Sequence, residues 1–339
     1  MLLKTKNSLS NKSFKILIKK SLTQWAIFFY VIFVPMLQVQ NLLFAYQKKS
    51  VLSQLNFTVN QGEHLAVIGE SGSGKSTLLK LLYGEFDLNE GEIFWKDQQI
   101  LGPKYNLVVG YPFMKYVAQE FDLMPFISVE ENIGKHLSNF FPEEKTQRTN
   151  QLLEIVELTE FAKTKVKNLS GGQKQRVALA RALAKQPEII LLDEPFSHID
   201  NFKKQTLRRN VFNYLKEQNI TCIVATHDKD DVLGFADQMI VLHDSKIIAN
   251  NTPEHLYKHP ERPLIASFFG EFNVLDNGQI VYSNQLKAVE KSNFEVVVKK
   301  SYFKGNHYLI ESVSNDKILM FEHSSALKPD QKVYLEEIK

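Results

Sequence analysis

Residues 69–77 form a glycine-rich run that constrains the fold of this chain more than any other part of the sequence. The run follows the apolar segment 64–68 and opens the helical pattern 76–83, which gives the order strand, loop, helix. In that context, glycines let the backbone turn tightly, so that its N–H groups converge on phosphate oxygens beside a helix N-terminus. The run matches the Walker A pattern through Gly69, Glu70, Ser71, Gly72, Ser73, Gly74, Lys75, Ser76 and Thr77. It therefore predicts a phosphate-binding loop.

Two carboxylates at a strand end complete this predicted site. Asp193 and Glu194 follow the aliphatic run 189–192, which is typical of a buried strand. In enzymes with such a loop, an aspartate at this position holds Mg²⁺, while Lys75 would reach the phosphates and Ser76 the metal. Glu194 is placed to orient and deprotonate an attacking water. We therefore predict a site for ATP and Mg²⁺ with Glu194 as a catalytic residue.

The apolar pattern indicates an α/β fold. Short apolar runs alternate with helical patterns, as in a sheet that is covered by helices on both faces. The apolar runs lie at 51–59, 64–68, 189–192, 220–225 and 239–242, and the helical patterns at 75–84, 143–158, 171–185 and 203–217. A helix-rich stretch from about 120 to 187 interrupts the sheet and is predicted to be an inserted helical subdomain.

A second, smaller unit is predicted after residue 268. Short β-rich runs follow one another up to residue 338, with turn residues at 304–306 and 314–316 between them. This spacing favours a small all-β domain with an OB-like architecture. We therefore expect residues 36–268 and 269–339 to form separate domains.

A second short motif lies at residues 169–173, which read Leu-Ser-Gly-Gly-Gln. Ser170 with Gln173 three residues later is a capping box, so the simplest interpretation is a well-capped helix. A capping box does not require Gly171 and Gly172, which cost about 1 kcal/mol each at helical positions. Bare backbone at an exposed helix N-terminus suits an anion. Two phosphate-reading surfaces in one chain suggest that two chains sandwich the nucleotide.

Taken in order, these motifs resemble those of the ABC ATPase family over the whole predicted first domain. The resemblance implies that residues 169–173 are the signature motif, which contacts the γ-phosphate bound by the opposite subunit. It implies that Gln119 senses Mg²⁺ and couples to the membrane partner, and that His227 contacts the γ-phosphate. Asp200 corresponds to the family's D-loop aspartate, and Tyr46 to the aromatic residue that stacks on adenine.

The β-rich tail resembles the transport-associated OB-like (TOBE) domain, which accompanies importer ATPases for substrates such as iron(III), polyamines, sulfate and sugars. The resemblance implies an ATP-hydrolysing subunit that works as a homodimer or pseudo-dimer with transmembrane permease subunits and a substrate-binding protein. Such a subunit is peripheral, on the cytoplasmic face of the inner membrane. Two alternatives are an exporter ATPase, which seldom carries such a tail, and a non-transport ABC protein. The single Walker A run and single signature argue against the ribosomal type, and the lack of a long coiled coil argues against the repair type.

The apolar run 121–128 follows Gln119 and is unusually hydrophobic for a surface loop. In the family, this region receives the coupling helix of the permease. Internal packing of the helical subdomain is an equally good interpretation of the same residues.

The charge distribution argues against a nucleic-acid partner. The chain has a formal net charge of +3, yet six of its lysines lie in residues 1–35, which contain no acidic residue. The remainder therefore carries a small negative charge, whereas a nucleic-acid binder has its basic excess on the folded domain.

Residues 1–35 are expected to lie outside the fold. Their apolar part, 25–36, is shorter than the roughly 20 residues that span a bilayer, and no signal cleavage site follows it. Three interpretations remain: upstream sequence translated from a misassigned start, an interfacial membrane anchor, or a disordered tail. The first is favoured, since Met36 is followed at once by a strand typical of an importer ATPase.

Overall fold

A computed structural model describes residues 36–47 and 49–338 of the 339-residue chain. The expectations for the N-terminal extension, residues 1–35, lie outside the described residues. Among the helices of the described part, none is both long enough and apolar enough to cross a bilayer.

The described residues form strands and helices with the following bounds. The strands are β1 (Leu37–Tyr46), β2 (Lys49–Val59), β3 (His64–Gly69), β4 (Glu90–Trp95), β5 (Gln98–Gln99), β6 (Met114–Val117), β7 (Ile189–Asp193), β8 (Thr221–Ala225), β9 (Gln238–His243), β10 (Lys246–Asn251), β11 (Phe272–Val274), β12 (Ile280–Tyr282), β13 (Leu286–Val289), β14 (Glu295–Phe303), β15 (Tyr308–Ser314), β16 (Lys317–His323) and β17 (Lys332–Glu337). The α-helices are α1 (Lys75–Tyr83), α2 (Val129–Gly134), α3 (Pro142–Ile155), α4 (Gly171–Leu183), α5 (Asn201–Glu217), α6 (Lys229–Leu233), α7 (Pro253–Lys258) and α8 (Pro263–Phe269).

The central sheet has six strands in the order β10-β9-β3-β8-β7-β6. β3 pairs in parallel with β8 and β9, and β7 pairs in parallel with β6 and β8, whereas β10 is antiparallel to β9. Every residue of β7 and β8 is buried, because both faces of this sheet are covered, which explains their continuous apolar sequences. The carboxyl ends of the parallel strands β3, β6, β7 and β8 meet at one edge of the sheet. The phosphate loop, Gln119, Glu194 and His227 follow these ends, whereas Tyr46, Ser170 and Asp200 lie on other elements.

A separate antiparallel sheet, in the order β2-β1-β4-β5, holds the first strands of the chain. The prediction that residues 51–59 belong to the central sheet is therefore wrong. In β2 the buried residues Leu52, Leu55, Phe57 and Val59 are separated by more exposed ones, since one face of the strand packs on the core and the other does not. The buried face shares a hydrophobic cluster with α1, so this sheet backs the phosphate loop.

Helices α2, α3 and α4 form the insertion between β6 and β7, as the sequence predicts. Their buried residues, such as Ile133, Leu152 and Val177, join one hydrophobic core with one side of the central sheet. Ser128 caps α2 with a capping box to Glu131, which fixes the entry of the chain into the insertion. The insertion is therefore packed onto the sheet rather than separate from it.

The C-terminal part consists of antiparallel strands with a hydrophobic cluster of their own. Five strands pair in the order β13-β17-β14-β15-β16, and the two edge strands β13 and β16 also contact each other, which curls the sheet towards a barrel. Asn315 and Asp316 have φ values of +49° and +62° and form the two-residue turn between β15 and β16. The stacked rings of Tyr257 and Tyr282, 4.7 Å apart, join this part to α7.

Candidate nucleotide site

The loop between β3 and α1 has the backbone shape of a cradle. Gly72 and Gly74 adopt left-handed conformations with φ values of +81° and +100°, which favour glycine. A Cβ at Gly74 would lie 2.8 Å from the Leu52 side chain, so β2 closes the space beside the start of α1. The Ser73 hydroxyl is buried without a hydrogen-bond partner among the described residues. An unpaired hydroxyl in a loop at a helix N-terminus suits an anionic oxygen.

Lys75 is the first residue of α1 and its side chain folds back over this loop. Its Nζ donates hydrogen bonds to the carbonyl oxygens of Gly69, at 2.8 Å, and Glu70, at 2.9 Å. Burial lowers the pKa of Lys75, and the nearby Glu194 and Asp193 carboxylates oppose that shift. The ammonium group therefore lies between the loop and the two carboxylates at the end of β7.

Asp193 lies at the end of β7 and is 4% exposed. Its carboxylate accepts a hydrogen bond from the Tyr116 hydroxyl at 3.2 Å and is also hydrogen-bonded to the Ser76 hydroxyl. Burial raises the pKa of Asp193, although these two hydrogen bonds lower it. Ser76 follows Lys75 in α1, and Thr77 is the next residue in the same turn. The Asp193 carboxylate and the Ser76 hydroxyl thus meet at the N-terminus of α1.

Glu194 brings two distant residues together. One carboxylate oxygen accepts a hydrogen bond from Gln119 Nε2 at 3.2 Å, and the other lies 3.1 Å from His227 Nδ1. Gln119 follows β6 and His227 follows β8, so the strands on either side of β7 supply the two partners. The sequence separates these residues by many positions, and the parallel sheet aligns their strand ends.

Tyr46 lies at the end of β1 and is half exposed. Its ring contacts Phe44 and Phe86 edge-on, at 4.8 and 5.7 Å between centroids. It lines a cavity of about 440 Å³ together with the first half of the phosphate loop. The cavity lining is Tyr46, Lys49, Ser50, Val51, Glu70, Ser71, Gly72, Ser73, His243, Asp244 and Ser245. The predicted adenine-stacking residue therefore lies next to the predicted phosphate loop.

The predicted capping box at the start of α4 is present. The Ser170 hydroxyl accepts from the Gln173 N–H at 3.3 Å, and the Gln173 side chain accepts from the Ser170 N–H at 2.8 Å. Among the described residues, no hydrogen bond joins residues 170–173 to residues 69–77. The capping contacts of this motif are therefore made independently of the phosphate loop.

The two glycines of this motif differ in their surroundings. Open space surrounds the position of a Cβ at Gly171, whereas a Cβ at Gly172 would lie 2.6 Å from the His198 carbonyl oxygen. The expectation that both glycines leave room for an approaching ligand is therefore wrong for Gly172. The space beside Gly172 is occupied by the chain's own loop at residues 197–200. Asp200 at the end of this loop is exposed and precedes α5, and its side chain makes no cap hydrogen bond.

Two polar residues of this region were not predicted from the sequence. Tyr116, on β6, donates to Asp193, and the buried Gln175, on α4, donates to the carbonyl oxygen of Glu194 at 2.9 Å. Gln175 lies only two residues after the motif at 169–173, which was a signal for its position. Nothing local marks Tyr116, because its contact depends on the pairing of β6 with β7.

Known proteins that are similar to this chain include ABC transporter ATP-binding proteins. Residues 52–197 match the family model described as ABC transporter. The Fe(3+) ions import ATP-binding protein FbpC of Haemophilus influenzae is 40% identical over 244 residues, which cover 71% of this chain and 69% of that protein. The spermidine/putrescine import ATP-binding protein PotA of Bacillus cereus is 32% identical over 268 residues, which cover 78% and 80% of the two chains.

Two solved structures are similar to a part of this chain. A dimeric ATP-binding cassette in a post-hydrolysis state, bound to ADP and Pi, aligns with a TM-score of 0.56 and 28% identity, over 64% of this chain and 98% of its own. A nucleotide-free ATP-binding cassette from an ABC transporter aligns with the same TM-score over 70% and 99% of the two chains, and at 23% identity it supports the fold alone.

Proposed function

The chain belongs to the ABC transporter family as an ATP-binding subunit that hydrolyses ATP, and we propose that it drives solute import through a separate membrane permease. The observation that carries the hydrolytic role is the convergence of Gln119 and His227 on Glu194 beside the phosphate loop. An importer agrees with the relatives, which are named as import proteins for Fe(3+) or polyamines. The substrate is selected by the permease and a substrate-binding protein.

In the proposed reaction, Glu194 is the general base for the attacking water. Its carboxylate is close enough to Lys75 of the phosphate loop to oppose the lowering of that lysine's pKa by burial, and it contacts the exposed ring of His227. His227 would in turn contact the γ-phosphate. Gln119 would hold the Glu194 carboxylate in place through its hydrogen bond and would respond to the presence of Mg²⁺. Lys75 balances phosphate charge, and the unpaired Ser73 hydroxyl and the loop N–H groups donate to phosphate oxygens.

Residues at the end of β7 and at the start of α1 fit an Mg²⁺ ion that is bound together with the nucleotide. The Ser76 hydroxyl and the Asp193 carboxylate are adjacent hard oxygen donors, with the Gln119 side chain as a third candidate ligand. In the described residues, no group of three or more His, Cys, Asp or Glu side chains is arranged to hold a metal alone. Mg²⁺ usually takes one or two protein ligands and completes its shell with water and phosphate oxygens. Bound there, it would neutralise charge on the β- and γ-phosphates.

Tyr46 is proposed to stack on the adenine. Its half-exposed ring lies in the cavity formed with Glu70, Ser71, Gly72 and Ser73, and the aromatic contacts with Phe44 and Phe86 hold its edge. Stacking on a purine through the free face would fix the base while the loop holds the phosphates.

The signature residues are proposed to act on the ATP of a second subunit. Ser170, Gly171 and Gln173 lie at the partly exposed start of α4, and no hydrogen bond joins them to the chain's own phosphate loop among the described residues. A homodimer or pseudo-dimer would place this helix N-terminus on the opposite γ-phosphate. The exposed Asp200 would lie at the same interface.

The permease is proposed to dock beside Gln119. A cavity of about 510 Å³ is lined by residues on both sides of Gln119, including Ala118 and Glu120, and by the basic side chains of the helical insertion. The following run is divided, because Phe121 and Leu123 pack on the core, whereas Phe126 is 72% exposed. A permease bound in this cavity would contact the backbone next to Gln119. Because Gln119 donates a hydrogen bond to Glu194, that contact would affect the position of the Glu194 carboxylate.

The remaining assignments rest on the family. The curled antiparallel sheet with its own core supports a TOBE-like domain at residues 269–339, separate from a cassette at 36–268. The subunit would be peripheral, held at the cytoplasmic face of the inner membrane by its permease, where ATP is available.

The proposal is tested with Glu194→Gln. This variant is expected to keep ATP affinity and to lower turnover by ~10²–10⁴, the usual effect of lost general-base catalysis. It should also accumulate an ATP-bound dimer, measured by size-exclusion chromatography with Mg²⁺ and ATP. Lys75→Ala is the contrasting variant, which should weaken nucleotide binding itself. Hydrolysis by Glu194→Gln at the parent rate would refute the assignment of the base.

A further inference from the structure

Glu194 has a backbone conformation that is uncommon for its residue type. Its φ is +47°, in the left-handed region that glutamate rarely occupies. Such a conformation persists only where the surroundings hold it, and it is frequent at functional sites. The residues that hold Glu194 therefore decide where its carboxylate points.

Three groups fix the peptide units around Glu194. Its N–H donates to the carbonyl oxygen of Ala225, on β8, at 2.9 Å. Its carbonyl oxygen accepts from Gln175 Nε2 at 2.9 Å and from the Ser197 hydroxyl at 3.0 Å. Ser197 lies three residues after its acceptor in the same loop, so Gln175 is the donor that comes from another, packed element.

Gln175 is buried, at 1% exposure, and both ends of its amide are used. Besides donating to Glu194, its oxygen accepts from the N–H of His198 at 3.1 Å. One turn earlier on the same helix, Gly172 allows the His198 carbonyl to approach closely. Helix α4 therefore holds the segment from Glu194 to His198 at two points.

We propose that Gln175 is a positioning residue for Glu194, which it holds in the left-handed conformation that directs the carboxylate at the attacking water. The inference rests on the proposed role of Glu194 as the general base. Helix α4 also begins with the signature residues, so one rigid element links the surface for the opposite ATP to the base of the chain's own site. A shift of the start of α4 would therefore be transmitted to Glu194 through the Gln175 amide and through the contact of Gly172 with His198.

The first test is Gln175→Leu, which keeps the side-chain volume and removes both hydrogen bonds. Turnover is expected to fall by about 10- to 100-fold, because small displacements of a catalytic group have large effects. ATP affinity should stay within about twofold, since Gln175 makes no contact with the phosphate loop among the hydrogen bonds of the described residues. Leu183→Ala, a core truncation at the far end of α4, is the control for lost stability and should lower Tm without this fall in turnover.

A double-mutant comparison separates positioning from general damage. In the Glu194→Gln background, Gln175→Leu should change the residual rate by less than about threefold, because the group that it positions is already gone. A loss by the same factor in both backgrounds would overturn the inference. The inference would also be overturned if Gln175→Leu hydrolysed ATP at the parent rate while Glu194→Gln was inactive. If Glu194→Gln itself retains parent turnover, the failure lies in the proposed function instead.

Gln175→Glu gives a second readout that does not depend on the leucine variant folding. When protonated, the new carboxyl group can still donate to the Glu194 carbonyl, and when ionised it cannot. Burial beside a carbonyl oxygen should raise the pKa of this carboxyl group into the range of the assay. The ratio of variant to parent turnover is expected to rise as pH falls from about 8.5 to 6. A ratio that stays constant over this range would overturn the inference.

Discussion

At the scale of single residues, burial has a clear consequence at His64, the first residue of β3. The side chain is 1% exposed and packs 5.8 Å from the ring of Phe212. Burial lowers its pKa to about 4, and Lys216 adds to that shift, while Asp237 opposes it. An unfolded chain has a histidine pKa of about 6.5, so between pH 6.5 and 4 the unfolded state binds a proton that the folded state does not. Stability must therefore fall as pH falls through this window.

His64→Phe should remove this part of the pH dependence. Between pH 7 and pH 5 the free energy of unfolding of the parent should fall by about 2 kcal/mol more than that of the variant. Denaturant titrations at the two pH values measure the difference. His255→Gln, at an exposed position, serves as the control and should follow the parent. Parallel pH curves for the parent and His64→Phe would show that His64 is protonated equally in both states.

At the scale of elements, a buried ion cluster joins α5 to α6. Arg208, on α5, is fully buried and donates to Asp231 and Asp228 at 2.5 and 2.7 Å. Asp231 also accepts from the Thr226 hydroxyl at 2.6 Å. Thr226 and Asp228 flank His227, so the cluster fixes the backbone of the strand end that carries this histidine.

Removing the arginine leaves the buried Asp231 carboxylate without its cationic partner, whereas the partly exposed Asp228 keeps Lys204 at 2.8 Å. Arg208→Ala should lower the free energy of unfolding by about 3–5 kcal/mol, the usual cost of breaking a buried pair on one side. Arg209→Ala, at the exposed neighbouring position on α5, is the matched control and should stay within about 0.5 kcal/mol of the parent. Equal midpoints for the two variants in chemical denaturation would contradict the importance of the cluster.

The elements also show which features the sequence can predict. The phosphate loop and its helix were predictable because the glycines and the helical periodicity lie next to each other in the chain. Residues 51–59 were assigned to the wrong sheet. Whether a strand is covered on one face or on both depends on the elements that pack against it, and these are distant in sequence. The role of Gly172 was likewise missed in part, since the group that approaches it is the His198 carbonyl of another segment.

The same limit applies inside the candidate site. Glu194 could be proposed from its position after a buried strand, whereas its contact with Gln175 and its left-handed backbone follow from packing. Tyr116 reaches Asp193 only because β6 pairs with β7. Local motifs thus indicate candidate reactive groups, and long-range strand pairing decides which side chains contact them.

At the scale of the whole molecule, the proposed dimer would divide each nucleotide site between two chains. The phosphate loop, with Lys75, lies at the carboxyl end of β3, and Ser170 lies at the start of α4. If two chains close around ATP, each site combines Lys75 of one chain with Ser170 of the other. A defect in either residue should then be separable by mixing two defective proteins.

Lys75→Ala and Ser170→Arg should each fail to form a stable ATP-bound homodimer, because every site in either homodimer has a defect. In a mixed dimer, one site has an intact Lys75 and an intact Ser170, while the other has both defects. With Glu194→Gln added to both chains to prevent turnover, the mixture should form ATP-dependent dimers that neither protein forms alone. Size-exclusion chromatography with one chain labelled measures them. Dimers no more abundant in the mixture than in the separate proteins would place both residues in the same half of the site and exclude the composite arrangement.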